Sequence, residues 1–300
     1  MTAAALALGP ARRLGGVLRL LRPLDWSKNS FVFAGLLFGH RWNEPAKLQA
    51  SLLAFAAFCA MASAVYVVND LLDRHRDAHH PTKRHRPIAA GVVAPSWAVA
   101  LAAGLAAGAL WVGHWVSPAA LGIIALYAVL NIAYTVRLKQ IVLLDVFVIA
   151  SGFVLRILTG TVGVDIPPSP WILICGLTLA LFLGFCKRRA ELEAAGEDPG
   201  KHRPVLDVYS PRDLEQMIGI CAACAIITYS LYTIDDKTAA AHGTPWLMAT
   251  VPFVIYGILR YIHRLHAGGG GGRPALDVVR DPHLITTIVG WLVVTAWLLA

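Results

Sequence analysis

The chain has 300 residues, of which 57% are hydrophobic and 15% charged, with 26 Lys and Arg against 18 Asp and Glu and a formal net charge of +8. A soluble domain of this size carries roughly 25% charged residues, so the composition excludes an ordinary soluble enzyme, and the mean hydropathy of +0.61 agrees. Apolar stretches of about 18 residues or more recur from end to end, which marks a polytopic membrane protein.

In chain order, the opening "MTAAALALGPARRLGGVLRLLRPLDW" places its arginines after a short apolar run, unlike a secretory signal. Residues 11–22 instead predict an interfacial amphipathic helix with Leu14, Val17, Leu18 and Leu21 on one face. Residues 1–26 are then a cytoplasmic or interfacial segment, and residues 27–300 a single transmembrane helical domain. The fold class is all-α, with nine spans at about 27–40, 48–69, 95–116, 119–136, 141–160, 170–187, 215–234, 245–263 and 284–300.

With the N-terminus in the cytoplasm, the long polar connections 70–94, 188–214 and 264–283 all face that side. So do 22 of the 26 basic residues. The opposite side receives Arg41, Lys47 and Lys237, while Arg156 lies within a span. This is the positive-inside pattern, so the basic excess sets topology and gives no ground for nucleic-acid binding, although anionic substrates can use it as well. "AVALAAGLAAGALW" in the third span is rich in small residues that let helices approach closely in lipid. Gly268 to Gly272 read as a flexible tether. No repeat period of about 20–50 residues indicates a solenoid. The five cysteines fall within spans or at their ends; Cys221 and Cys224 form a CxxC with no second ligand pair and read as small buried residues.

The chemistry concentrates in "VVNDLLDRHRDAHHPTKRHRP", residues 67–87. Asp70, Asp73 and Asp77 stand at i, i+3 and i+7, so on a continuing helix they share one face beside Asn69. Carboxylates this close repel unless something positive sits among them. Mg2+ is a natural partner, because it takes oxygen ligands, keeps waters and bridges to substrate phosphates. Asn69, Asp70, Asp73 and Asp77 are therefore the candidate metal ligands, with the three aspartates as the catalytic set. Lys83, Arg84 and Arg86, with His79, His80 and His85, follow at once and suit further phosphate oxygens. The bland alternative is a solvated helix end with scattered ion pairs.

"NDLLDRHRDAHHPTKRHRPIAAGVV" resembles the first aspartate-rich motif of the UbiA superfamily of intramembrane prenyltransferases. The resemblance implies a nine-helix bundle around a central cavity open laterally to lipid, with the motif binding Mg2+ and a diphosphate. Within the superfamily the chain is similar to the branch that transfers phosphoribose. The matching segments are "LRPLDWSKN" (21–29), "HPTKRHRPIAAG" (80–91), "YTVRLKQIVLLDV" (134–146), "SGFVLRILTG" (151–160), "KRRAEL" (187–192) and "ALDVVRD" (275–281). This implies transfer of 5-phosphoribose from phosphoribosyl diphosphate to a polyprenyl (decaprenyl-type) phosphate, releasing diphosphate, for cell-envelope polysaccharide precursors. A bacterial cytoplasmic membrane, with the active face toward the cytoplasm, is the implied location.

One departure from the superfamily's pattern bears on the substrate. Members that prenylate an aromatic ring carry a second aspartate-rich motif after the sixth span, where this chain has "FCKRRAELEAAGE". Lys187 and Arg188 there suit direct phosphate recognition, but positive-inside anchoring explains them equally, and Glu191 can simply pair with Lys187. Arg156 is costly in a span and is expected to face a wet interior, with Asp145 eleven residues earlier on the same face. Lys139 is a candidate phosphate ligand and Tyr134 an interfacial anchor or support. Resemblance also puts Lys28 and Asn29 near the site, whereas charge bias alone makes Lys28 topological. Two rival readings remain: a prenyltransferase using an isoprenoid diphosphate and a small acceptor, and a transporter, which predicts inverted repeats that the sequence lacks.

Overall fold

The computed structural model describes residues 10–79, 83–195, 204–268, 270–272 and 274–299. His80, Lys201, Arg203, Gly269 and Arg273 lie outside the described residues. Among the described residues there is no strand, and eight helices are long and apolar enough to cross a membrane. Pro45, Pro95, Pro118, Pro170, Pro211 and Pro282 each open a helix. That position tolerates proline because its missing N–H has no intrahelical partner anyway.

The chain divides into two compact units. The first runs to Thr135 and resumes over Leu155–Pro167; the second comprises Val136–Val154 and the chain from Pro168 onward.

In the first unit, α1 (Pro10–Leu21) is followed by a 3-10 helix (Pro23–Phe33), α2 (Ala34–Phe38), α3 (Pro45–Leu72), α4 (Arg74–Ala78), α5 (Pro95–Val116) and α6 (Pro118–Val136). α3 is the interior helix. Ala54, Ala57, Phe58, Met61, Ala62, Ala64 and Val65 are buried along it, and its small residues let α5 pack closely against it. α5 presents Trp97 and Trp115 exposed near its two ends, about 27 Å apart along the axis. That spacing approaches the ~30 Å hydrocarbon core, whose two interfaces favour Trp. α1 forms as the sequence predicts, with Leu14 and Leu18 exposed. Leu20, outside the predicted apolar face, is the residue that buries completely, in a cluster with Val67, Leu71, Ile88 and Val93.

The first predicted span, 27–40, is not a long α-helix. Its place is taken by the 3-10 helix and α2, which run antiparallel to α3. Arg22 meets Asp70, Trp26 Nε1 donates to Ser63 Oγ at 3.0 Å, Asn29 Nδ2 donates to Cys59 Sγ at 3.1 Å, and the Phe33 and Phe55 rings are 5.1 Å apart. The tighter coil rises about 2.0 Å per residue against about 1.5 Å for an α-helix. Residues 22–33 therefore keep pace with residues 55–70, a longer stretch of α3. At the far end Gly35 and Gly160 let backbone meet backbone, and Lys47 pairs with Asp165 at 3.0 Å.

The helix α7 (Leu144–Thr159) contributes its first turns to the second unit and its last to the first. The second unit continues with α8 (Pro170–Ala195), α9 (Pro211–Ile234), α10 (Asp236–His242), α11 (Val251–His266), α12 (Pro274–Arg280) and α13 (Pro282–Leu299). α8 and α9 pack most extensively, around Phe182, Phe185, Leu214 and Ile218. Gly184 gives Val146 room, since a Cβ there would lie 2.6 Å from Val146 Cγ1. The glycine run expected as a free tether is seated at Gly271. This residue is buried at φ +94, donates its N–H to Asp277 Oδ2 at 2.8 Å, and leaves no space for a Cβ beside Ala190. Asp281 opens α13 by accepting the Leu284 N–H at 3.0 Å, and it pairs with Arg260 and Arg264 at 2.8 and 2.9 Å. The five cysteines are all free thiols; Cys59 and Cys186 are buried as expected, whereas Cys224 is exposed.

Candidate active site

The site builds outward from the end of α3. The helix stops at Leu72, Asp73 occupies the break at φ −87 and ψ 0, and α4 restarts at Arg74. The continuous helix on which three carboxylates would share a face is thus interrupted at Asp73, which is half-buried. Asp70 and Asp77 are both buried, at 3% and 2% exposure, and meet at one arginine. Arg86 Nη1 donates to Asp70 Oδ1 at 3.0 Å and to Asp77 Oδ2 at 2.7 Å. Arg22 Nη2 donates to the same Asp70 oxygen at 2.7 Å while its guanidinium lies 5.0 Å from the centre of the Tyr66 ring.

Local structure explains how Arg86 reaches this position. The Arg86 N–H bonds to the Lys83 carbonyl, and the Pro87 carbonyl accepts from both Val92 and Val93, folding "RPIAAGVV" into a compact turn with Gly91 at φ +70. Arg22 sits in the left-handed region at φ +50, at the corner between α1 and the 3-10 helix. Two carboxylates and two guanidinium groups balance, which offsets the cost of removing these charges from water.

Of the other predicted residues in this unit, Asn69 lies with its side-chain oxygen against the Thr135 hydroxyl, whose single proton is shared between it and the Asn131 carbonyl at 2.8 Å. Lys83 is half-buried and Arg84 exposed. Lys28 pairs with Asp25 at 2.5 Å, and Tyr134 is half-buried. Arg156 and Asn29 are both buried and joined: Arg156 Nε donates to Asn29 Oδ1 at 2.8 Å, with the Phe58 and Tyr127 rings 5.0 and 5.1 Å from the guanidinium. An apolar groove of about 720 Å³ between α3, α5 and α6 is walled by residues such as Val65, Val68, Ala102, Ala106 and Val129. Asn69 and Arg74 are the polar side chains among its lining.

In the second unit, Arg188, expected to bind phosphate, is fully buried. Its Nε stands 3.3 Å from Asp145 Oδ2, and Nη1 donates to Glu191. Asp145 therefore pairs with α8 within the second unit, and Arg156 bonds to Asn29 within the first. Lys187 is more open and lies 3.9 Å from Glu191. Lys139 is half-buried in the 3-10 turn Leu138–Gln140.

Sequence reasoning missed two residues that organise these clusters. Arg22 counted only toward charge bias, although it lies inside the quoted "LRPLDWSKN". Tyr209 carried no signal at all. Its hydroxyl donates to Asp145 Oδ1 and accepts from the Leu143 N–H, both at 2.8 Å, pinning the turn after Lys139. Burial pushes the Tyr209 hydroxyl well above its usual range, so it stays a donor.

The residues present fit a hard divalent cation in part. Among the described residues no three His, Cys, Asp or Glu side chains are grouped to hold a metal between them. Mg2+ does not require that; it typically uses one or two carboxylates together with water and substrate phosphates. Asp70 and Asp77, already converging on one positive group, supply such a pair.

Eight long apolar helices, with no strand among the described residues, define a polytopic membrane protein. The chain belongs to the UbiA prenyltransferase family, whose model matches residues 29–273. It is 34% identical to a decaprenyl-phosphate phosphoribosyltransferase of Mycolicibacterium smegmatis, covering 95% of this chain and 92% of that one. It is 32% identical to a protein of the same name from Corynebacterium glutamicum, covering 94% and 86%. Among solved structures, a UbiA homolog from Archaeoglobus fulgidus bound to GPP and Mg2+ superposes with a TM-score of 0.70 at 18% identity, covering 95% of this chain and 96% of that one.

Proposed function

We propose that this protein transfers 5-phosphoribose from phosphoribosyl diphosphate to a polyprenyl phosphate, releasing diphosphate. The likeness to the two phosphoribosyltransferases over nearly the whole chain carries this reading. The geometry supplies the chemistry. As the bond from the anomeric carbon to the diphosphate oxygen breaks, its electron pair leaves with the diphosphate and positive character builds on carbon. Arg22, Arg86 and Lys83 are the basic groups suited to the departing charge. A lipid phosphate oxygen then bonds to the anomeric carbon. Already an anion, it needs positioning rather than a strong base.

Asp70 and Asp77, with Asn69 and Asp73 as neighbours, would hold Mg2+. When bound it supplies charge neutralisation on the diphosphate. An isoprenoid tail needs an apolar trough with a polar end, as the groove leading to Asn69 and Arg74 provides. Arg188, Asp145 and Glu191 act as internal support rather than as direct phosphate ligands.

The membrane assignment follows the charges. We read the 3-10 helix and α2 as a ninth crossing alongside α3; the positive-inside bias then supports a cytoplasmic N-terminus in a bacterial inner membrane. Purified protein supplied with Mg2+, labelled phosphoribosyl diphosphate and polyprenyl phosphate tests the reading: label should move into the lipid phase. No labelled lipid, with turnover of an isoprenoid diphosphate instead, would support aromatic or small-acceptor prenyl transfer.

A further inference from the structure

The four charged side chains at the end of α3 are layered. Asp70 and Asp77 are 3% exposed, whereas Arg22 and Arg86 are each 28% exposed. The acids form the floor of the cluster and the guanidinium groups its outer surface. Arg22 and Arg86 converge on one oxygen of Asp70, and Arg86 also holds Asp77. A divalent cation arriving alone meets the positive layer and must compete with both arginines for the oxygens they hold. A diphosphate arriving alone attracts the arginines, but drawing them outward leaves two buried carboxylates facing each other. Each ligand therefore removes the obstacle to the other.

We infer that Arg22 and Arg86 are exchangeable counter-ions, which hold the carboxylates together and turn onto the diphosphate as a divalent ion takes their place. Binding of the two ligands is then coupled, and the coupling must be reciprocal. The inference rests on the proposed function only in taking a diphosphate and a divalent ion as the ligands. Arg22 and Arg86 become positioning residues whose removal has opposite effects on the two ligands, which a merely structural ion pair would not show.

Calorimetric titration of the full chain in detergent separates the possibilities. One arm uses Mg2+ without pyrophosphate, the other inorganic pyrophosphate in EDTA, so that no metal–pyrophosphate complex forms in solution. Arg86→Gln should bind Mg2+ about fivefold or more tightly than the wild type, and Asp77→Asn should bind metal-free pyrophosphate tighter by a similar factor, the lower end of ordinary coupling between sites. Arg22→Gln, which leaves Arg86 bridging both acids, should shift Mg2+ in the same direction by less and serves if either other variant fails to fold. If no variant gains affinity for either ligand, the arginines are fixed structural partners and the exchange is overturned. Labelled lipid product without any of these gains would sink the exchange alone; the gains without product would sink only the reaction proposed above.

Discussion

Arg156 donates its Nε hydrogen to the side-chain oxygen of Asn29 across 2.8 Å and 127 positions of chain, with both residues buried. The bond ties the last turns of α7 to the 3-10 helix within the first unit. Asn29 in turn donates to Cys59 on α3, so one amide links three segments. A hydrogen bond to a charged group contributes about 1.5–3 kcal/mol. Asn29→Ala should destabilise the protein by that amount, and the drop in thermal unfolding midpoint in detergent measures it. Asn29→Asp should keep more of the stability than Asn29→Ala, because a carboxylate still accepts from Arg156.

The glycines at the far end of this segment allow almost no variation. A Cβ on Gly160 would lie 1.6 Å from the Val32 carbonyl oxygen, and one on Gly35 would lie 1.9 Å from the Gly160 carbonyl oxygen. Backbone atoms cannot yield as a flexible side chain can. Gly160→Ala should therefore cost about 4 kcal/mol or more, in the exceptional range for single substitutions. Loss of the monodisperse species in size-exclusion chromatography is the expected result, with Gly108→Ala, which meets nothing within 4 Å, as the control.

Much of this architecture was legible in advance because hydrophobic length and charge asymmetry are local signals. Seven of the long helices lie close to the expected spans for that reason, and α7 (Leu144–Thr159) matches an eighth. The 27–40 segment, expected as a span, is a 3-10 helix followed by the short α2 and is not among the eight long apolar helices. Nothing in "SKNSFVF" distinguishes a 3-10 from an α-helix, and the tighter coil lets the segment keep pace with α3. The aspartate cluster was legible by spacing, but the break at Asp73 was not, because "NDLLDRHRDA" carries neither Pro nor Gly to announce it. Arg188 read as a phosphate ligand because its neighbours are basic. Its burial against Asp145 depends on a contact 43 residues away in sequence, which no local pattern reveals.

That break separates the aspartates experimentally. Asp73 is half-buried at a helix junction, and Asp70 and Asp77 are buried and share Arg86. Asp73→Asn, at a less buried position, should cost less stability than Asp70→Asn while reducing Mg2+-dependent transfer by roughly 10²-fold or more. Asp70→Asn should lose activity and also stability, since it weakens two charge-assisted bonds at once. Full activity in Asp73→Asn would remove that residue from the catalytic set.

Asp281 gives a pH test independent of the site. Hydrogen bonds from Arg260, the Leu284 N–H and Arg264 hold its carboxyl well below the usual carboxylate range. Because the folded value is depressed, this contribution is complete above about pH 5. It is lost as pH falls through the ordinary value near ~4 toward the folded one. Asp281→Asn should therefore be less stable than the wild type at pH 7, and the two unfolding midpoints should converge in acid. A constant difference down to the lowest pH at which both proteins remain folded would show that the charge on Asp281 is not what anchors α13.

The account stands most directly on the identity of the lipid the enzyme makes. Mass spectrometry of the lipid extract after incubation with Mg2+, phosphoribosyl diphosphate and polyprenyl phosphate should show the polyprenyl phosphate carrying one added phosphoribosyl group. Diphosphate should be released in equal amount, and neither product should form with Asp77→Asn. An unmodified polyprenyl phosphate, together with a prenylated small acceptor when an isoprenoid diphosphate is supplied, would contradict it.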